Sequence, residues 1–263
     1  MYELVELTPF DLALAALLLT VPAAISIALK LGLEKRLGIA SVRTVVQLAL
    51  IGLILDWIFS LDRWYLVLPA LLVMLVAASR AAIARSERRF PGAYLAAFGS
   101  LVLASSVTAF SVTEVVIGVD PWYQPRYVIP LVGMLLGNAL NGISLGLDRL
   151  LADVTRERRA IEARQALGAS NWRALLPLTR DALRSGMIPI INSMMIVGLV
   201  SLPGMMTGQI LAGADPVNAV AYQILIMFMI ATCTALGVIV LCLLAYRAIS
   251  HPEHRVRWEQ ILD

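Results

Sequence analysis

Residues 216–246 read PVNAVAYQILIMFMIATCTALGVIVLCLLAY, 31 positions without an Asp, Glu, Lys or Arg. As a helix this run would be about 46 Å long at 1.5 Å per residue. A run of about 20 apolar residues already crosses the roughly 30 Å hydrocarbon core of a bilayer. The surplus length predicts that its first part lies outside the core, as an interfacial helix or a re-entrant piece. Asp215-Pro216 reads as an N-cap followed by proline at the first helical position.

Working outward, Leu12–Leu29, Trp64–Ser79, Phe90–Thr113, Tyr127–Leu147 and Ser185–Ala214 are equally free of charge. A further apolar stretch runs from Ile39 to Phe59, with Arg43 and Asp56 near its ends. Hydrophobic residues make up 60% of the 263 positions and charged ones 15%, where soluble domains carry about 25% charged residues. The pattern predicts an all-α, polytopic membrane protein with about seven transmembrane helices. The expected spans are 10–30, 39–59, 64–80, 93–117, 127–147, 187–202 and 218–246. The whole chain, 1–263, reads as one transmembrane domain.

Charge sets the expected orientation. Of the 21 Lys and Arg residues, only Arg63 and Arg126 fall between spans two and three or four and five. The others gather in or beside the remaining loops and the C-terminal tail. The positive-inside rule puts those segments in the cytoplasm. The N-terminus, with Glu3, Glu6 and Asp11, is then outside, and the C-terminus, with Arg247, Arg255 and Arg257, inside. The first span has no basic segment before it, so a cleaved signal peptide is not expected. The expected location is the cell inner (plasma) membrane, with membrane lipid as a partner and no nucleic acid.

One charged segment stands apart. Residues 148–186 hold eight arginines, and within them EARQALGASNWRALLPLTRDALRSG (162–186) carries four. Leu150, Leu151, Val154, Ile161, Ala166 and Leu167 recur at helical spacing among the charges. Gly168 breaks the pattern, Ser170 is placed to cap a second helix, and Pro177 is expected to kink or end it. The reading is helix, glycine bend, helix. Such an element can seat in a groove on a partner, with Leu167, Trp172 and Leu175 as an apolar contact set.

The chain offers little for catalysis. Its two histidines, His251 and His254, lie in the C-terminal tail, far in sequence from the spans' serines. There is no zinc-ligand spacing and no GxxxxGK[ST] phosphate loop. Cys233 and Cys242 read as small buried residues. No cofactor is expected on this chain. Polar side chains inside the spans are more informative, because polar groups in hydrocarbon are costly. Gln47, Asn138, Asn141 and Asn192 are candidate contacts along a substrate path. Asn138 and Asn141 share a face of span five with Ser144, beside the Gly133/Gly137 and Gly142/Gly146 spacings of close-packed helices. The amides therefore read either as helix-packing groups or as path-lining ones. Met134, Met194, Met195, Met205 and Met206 offer soft thioethers or plain apolar filler, and Met134, Met205 and Met206 join the path candidates. Which residues would bind a metal is left open. Glu114 reads as an interfacial residue at a helix end.

EARQALGAS (162–170) resembles the Glu-Ala-Ala…Gly loop of ABC transporter permeases, with Glu162, Ala163 and Gly168 on the pattern and Arg164 where a second alanine is usual. VGLVSLPGMMTGQILAGADPVNAVAYQI (197–224) and IPLVGMLLGNAL (129–140) are similar to the iron-export ABC permease family, the FetB-like proteins. The resemblance covers essentially the whole chain. It implies a membrane-spanning permease subunit, a homodimer working with a separate cytoplasmic ABC ATPase subunit, and export of iron or another metal ion. Glu162, Ala163, Leu167, Gly168 and Trp172 would then couple to the ATPase. Plant relatives are tied to aluminium tolerance, with a nucleotide sugar suggested as substrate. A binding-protein-dependent importer permease, a nucleotide-sugar exporter and a non-transporting scaffold are the alternatives.

Overall fold

The computed structural model describes residues 8–61, 63–118, 121, 123–250 and 256–261. Glu3, Glu6, Asp120, His251, His254 and Arg255 lie outside the described residues. The chain starts with local chemistry: the Thr8 hydroxyl accepts the Asp11 N–H at 3.3 Å, and the Thr8 N–H donates to the Asp11 carboxylate at 2.8 Å. This capping box opens α1 (Pro9–Leu17), which leads directly into α2 (Thr20–Ala28). At the next turn, Ser26 accepts the Leu33 N–H and donates to Glu34, both at 2.9 Å. It thereby pins the start of α3 (Glu34–Leu61).

α4 (Trp64–Ala84) and α5 (Ala93–Phe110) follow, the latter extended by a π-helical stretch, Ser111–Ile117. Glu114 sits exposed on that stretch. α6 (Pro125–Arg156) and α7 (Arg158–Ala166) meet at Glu157. After the Gly168 bend come α8 (Asn171–Ile196), α9 (Gly204–Leu211) and α10 (Pro216–Ile249), then a 3-10 turn at Trp258–Gln260. Among the described residues there is no strand, only two isolated bridges.

Two expected caps are present. The Asp215 carboxylate accepts the Asn218 N–H at 3.0 Å, and the Ser170 hydroxyl accepts the Arg173 N–H at 3.4 Å. Three expectations change. The run from Pro216 is one unbroken helix of 34 residues, without a separate interfacial or re-entrant piece. α8 passes through Pro177 and Pro189 without ending, held by burial of Ala174, Leu175, Leu178, Ala182 and Ile190 along one face. Among the described residues six helical segments, against the about seven expected, are long and apolar enough to cross a membrane: Phe10–Ala28, Glu34–Leu61, Trp64–Ala84, Ala93–Val116, Pro125–Arg156 and Pro216–Ile249. The segment expected at 187–202 is the end of α8, whose first half carries Arg173, Arg180, Asp181 and Arg184. α8 then stops at Ile196, so its uncharged part is too short to span alone.

α4, α5, α6, α8 and α10 form the packed bundle, while α1–α3 are barely buried and reach the rest mainly through α3 against α6. The tightest point is where α6, α8 and α10 cross. A Cβ on Gly146 would stand 2.7 Å from Val238, and one on Gly237 would stand 2.9 Å from Ile143. Only glycine lets these helices approach so closely. Cys233 and Cys242 are buried free thiols in the same core.

Candidate functional site

About one helical turn beyond the glycine crossing, α6, α8 and α10 separate around a cavity of about 420 Å³. Met134 and Asn138 reach it from α6, Ser193 from α8, and Gln223 and Met227 from α10. Its remaining wall is the break between α8 and α9, formed by Val197, Ser201, Pro203 and Gly204 with Met205 behind them. At this break Gly198 takes φ +84°, a left-handed conformation that glycine adopts freely, and its N–H donates to the Ser201 carbonyl at 2.9 Å. Irregular backbone at membrane depth is tolerated where it lines a cavity, and transporters place their substrate sites at such interrupted helices.

Asn138, Ser193 and Ser201 are exposed at the cavity, while Gln223 is buried. Gln223 is only 6% exposed, and its side-chain oxygen has no hydrogen-bond partner among the described residues. A buried polar atom left unpaired costs about 1–3 kcal/mol, so a ligand that engages it recovers that cost. The Asn138 amide nitrogen donates to the Met134 carbonyl at 2.9 Å, which leaves its oxygen open. A second cavity of about 300 Å³ shares Met134, Met205 and Ile226 with the first. It adds Arg126, Tyr222 and Gln209, whose side-chain oxygen is likewise buried and unpartnered among the described residues. Among the described residues, no group of three or more His, Cys, Asp or Glu is placed to hold a metal. A cation in the first cavity would meet neutral thioethers, amides and hydroxyls.

The structure brings together Met134, Asn138 and Met205 from the expected path residues. Asn141 faces elsewhere: its oxygen accepts from the Arg85 guanidinium, and its nitrogen donates to the Gly137 carbonyl at 3.3 Å. Asn192 is exposed on α8 and Gln47 is exposed on α3, both away from the two cavities. Met206 is half-buried but lines neither. Sequence reasoning missed Gln223, Gln209 and Met227. The available signal was an amide within the most apolar run of the chain.

The charged hairpin is attached directly to the cavity helices. α7 continues from α6 and returns into α8 through Gly168, at φ +89°. Arg164 donates to the Ala174 carbonyl at 3.0 Å, and Gln165 donates to Asn171 at 2.6 Å, locking α7 onto the start of α8. Ile161 is fully buried beneath. Glu162, Ala163 and Leu167 face outward, and Leu167 is 89% exposed. Glu162 pairs with Arg158 at 2.9 Å, and the Arg158 guanidinium stacks 4.9 Å over Trp258. Trp172 packs edge-on against Tyr246 at 5.2 Å and remains partly exposed. Leu175, expected in the outward contact set, is buried in the bundle instead.

Residues 9–250 match a family described as Uncharacterised protein family (UPF0014). The chain is 41% identical to the UPF0014 membrane protein slr1647 of Synechocystis over 217 residues, covering 82% of this chain and 84% of the relative. It is 35% identical over 252 residues to a protein of Escherichia coli named "Probable iron export permease protein FetB", covering 95% of each. It is also 35% identical to the Arabidopsis thaliana protein ALUMINUM SENSITIVE 3, over 82% of this chain and 78% of that one. No solved structure gives a significant match. This all-α, multi-pass chain belongs to the UPF0014 family of membrane proteins.

Proposed function

We propose that this chain is the membrane-spanning permease subunit of an ABC exporter in the inner membrane, paired with a second copy. ATP hydrolysis occurs on a separate cytoplasmic subunit, and the cargo is iron or another metal ion. One observation carries the reading. The exposed α7–Gly168 hairpin joins α6 and α8, the two helices that hold one side of the 420 Å³ cavity. A partner that grips Glu162, Ala163 and Leu167 moves both cavity walls at once. Below the cavity, Gly142, Gly146 and Gly186 bring α6, α8 and α10 into close contact. Cargo moves past that level only when α6, α8 and α10 part, a two-state change that ATP-driven closure of the partner can bias.

The metal cargo draws support from the name of the Escherichia coli relative and from the thioethers of Met134, Met205 and Met227 in the cavity. Arg126, in the adjoining cavity, favours a second reading, an anionic cargo such as a nucleotide sugar. The deciding experiment is reconstitution of the permease with its ATPase in liposomes, assaying ATP hydrolysis and flux against metal ions and sugar nucleotides. Metal-stimulated hydrolysis with metal efflux is the expected result. Stimulation by sugar nucleotides alone would replace the cargo, and failure of the ATPase to bind would remove the transporter reading.

A further inference from the structure

At the end of the bundle that carries the basic loops, α4 and α5 leave a lateral groove of about 530 Å³. Val76 and Arg80 line it from α4, and Tyr94, Leu95 and Phe98 from α5. Arg80 stands one turn before the end of the span Trp64–Ala84, and Tyr94 is the second residue of the span Ala93–Val116. Both therefore sit at the level where apolar helix gives way to polar loop, the depth at which tyrosines and long basic side chains anchor to headgroups.

The charges in the groove are unbalanced. Arg80 makes no hydrogen bond or ion pair with any described residue. Arg89 donates to the Tyr94 hydroxyl at 3.3 Å, which sets a second guanidinium on the same rim. Asp148, which does not line the groove, accepts the Glu87 N–H at 3.1 Å and the Ser86 hydroxyl at 3.5 Å and forms no ion pair with Arg80. Ser79 spends its hydroxyl on the Val76 carbonyl at 2.9 Å, so the wall beyond Arg80 is apolar. Leu95 is 78% exposed along it. A cation at one end of an apolar groove between two spans fits a molecule with an anionic head and a hydrocarbon tail.

We propose that this groove binds one anionic phospholipid, its phosphate on Arg80 beside Tyr94 and an acyl chain along Val76, Leu95 and Phe98. The bound lipid bridges α4 and α5 and braces the two spans against each other.

The test is native mass spectrometry and thermal unfolding of the purified full chain with three probes: phosphatidylglycerol, phosphatidylcholine of the same acyl chains, and inorganic phosphate. Phosphatidylglycerol is expected to stay bound and to raise the unfolding temperature, while the other two do neither. Arg80→Gln should lower phosphatidylglycerol affinity about tenfold, and Arg80→Lys should restore most of it. Arg36→Gln, an exposed arginine on α3 far from the groove, should change nothing. The proposal fails if phosphatidylcholine binds equally, or if inorganic phosphate stabilises as much as the lipid. It fails as well if Arg80→Gln and Arg36→Gln behave alike.

Discussion

Gly142 on α6 and Gly186 on α8 lie backbone to backbone. A Cβ built on Gly142 would stand 2.8 Å from the Gly186 carbonyl oxygen, and one built on Gly186 would stand 2.7 Å from the Gly142 carbonyl oxygen. Thr234 and Val238 of α10 close the third side. The neighbours in the way are partly backbone, which cannot rotate aside. Gly186→Ala should therefore destabilise the bundle by about 1–3 kcal/mol, the usual cost of overpacking. Gly137→Ala meets open space and should be neutral, or stabilising by up to about 1 kcal/mol through helix propensity. Thermal unfolding of the two variants in one detergent checks this. Equal behaviour would mean that the crossing is loose.

Gln223 offers a substitution whose effects on stability and transport should diverge. Gln223→Leu removes a buried oxygen that lacks a partner among the described residues, so folding should be unchanged or slightly favoured. Cargo-stimulated ATP hydrolysis should nevertheless fall about tenfold, the loss of roughly 1.4 kcal/mol of cargo binding. Lower stability with intact transport would make Gln223 a packing residue.

Asn141 and Asn138 should separate in the same assays. Asn138→Leu removes an open oxygen from the cavity wall and should reduce cargo stimulation while the protein still assembles. Asn141→Leu removes the acceptor for Arg85 and should cost about 1 kcal/mol of stability, since the pair is exposed, with cargo response unchanged. Cargo sensitivity that follows Asn141 would shift the path toward the α4 side.

The orientation expected from charge is open to chemical labelling. The native thiols Cys233 and Cys242 are buried, so background reactivity should be low. If α8, the loop after it and α9 together carry the chain across, a cysteine introduced near Asp215 should react with an impermeant reagent in intact cells, and one near Glu157 should react only after lysis. Equal reactivity would mean that the chain does not cross between them. The reverse pattern would invert the protein.

Much of the fold was legible because its signals are local. Asp215 and Ser170 cap their helices through atoms three residues away, and Gly168 breaks a helix where its φ is positive. α8 was misread because its bundle-facing residues are interleaved with exposed arginines, so average hydropathy marks only its end. Gln223 was missed for the opposite reason. In a helix as uniformly apolar as α10, no periodicity reveals which face turns inward. Asn141 finds its partner in Arg85, 56 residues earlier, a tertiary contact that no spacing rule supplies.

The central claim is that the α7–Gly168 hairpin links an ATPase to the cavity helices, and Leu167 gives the most direct test. Its side chain is 89% exposed, so Leu167→Asp should leave folding and insertion intact. Glu162→Lys and Gly168→Pro probe the same surface by charge and by bend, the latter because proline cannot take φ +89°. The measurement is retention of the cognate ABC ATPase on the immobilised permease, with transport assayed in parallel. Leu167→Asp should lose at least tenfold in retention, or retain binding with ATP hydrolysis no longer producing flux. Wild-type retention and wild-type flux in all three variants would contradict the central claim.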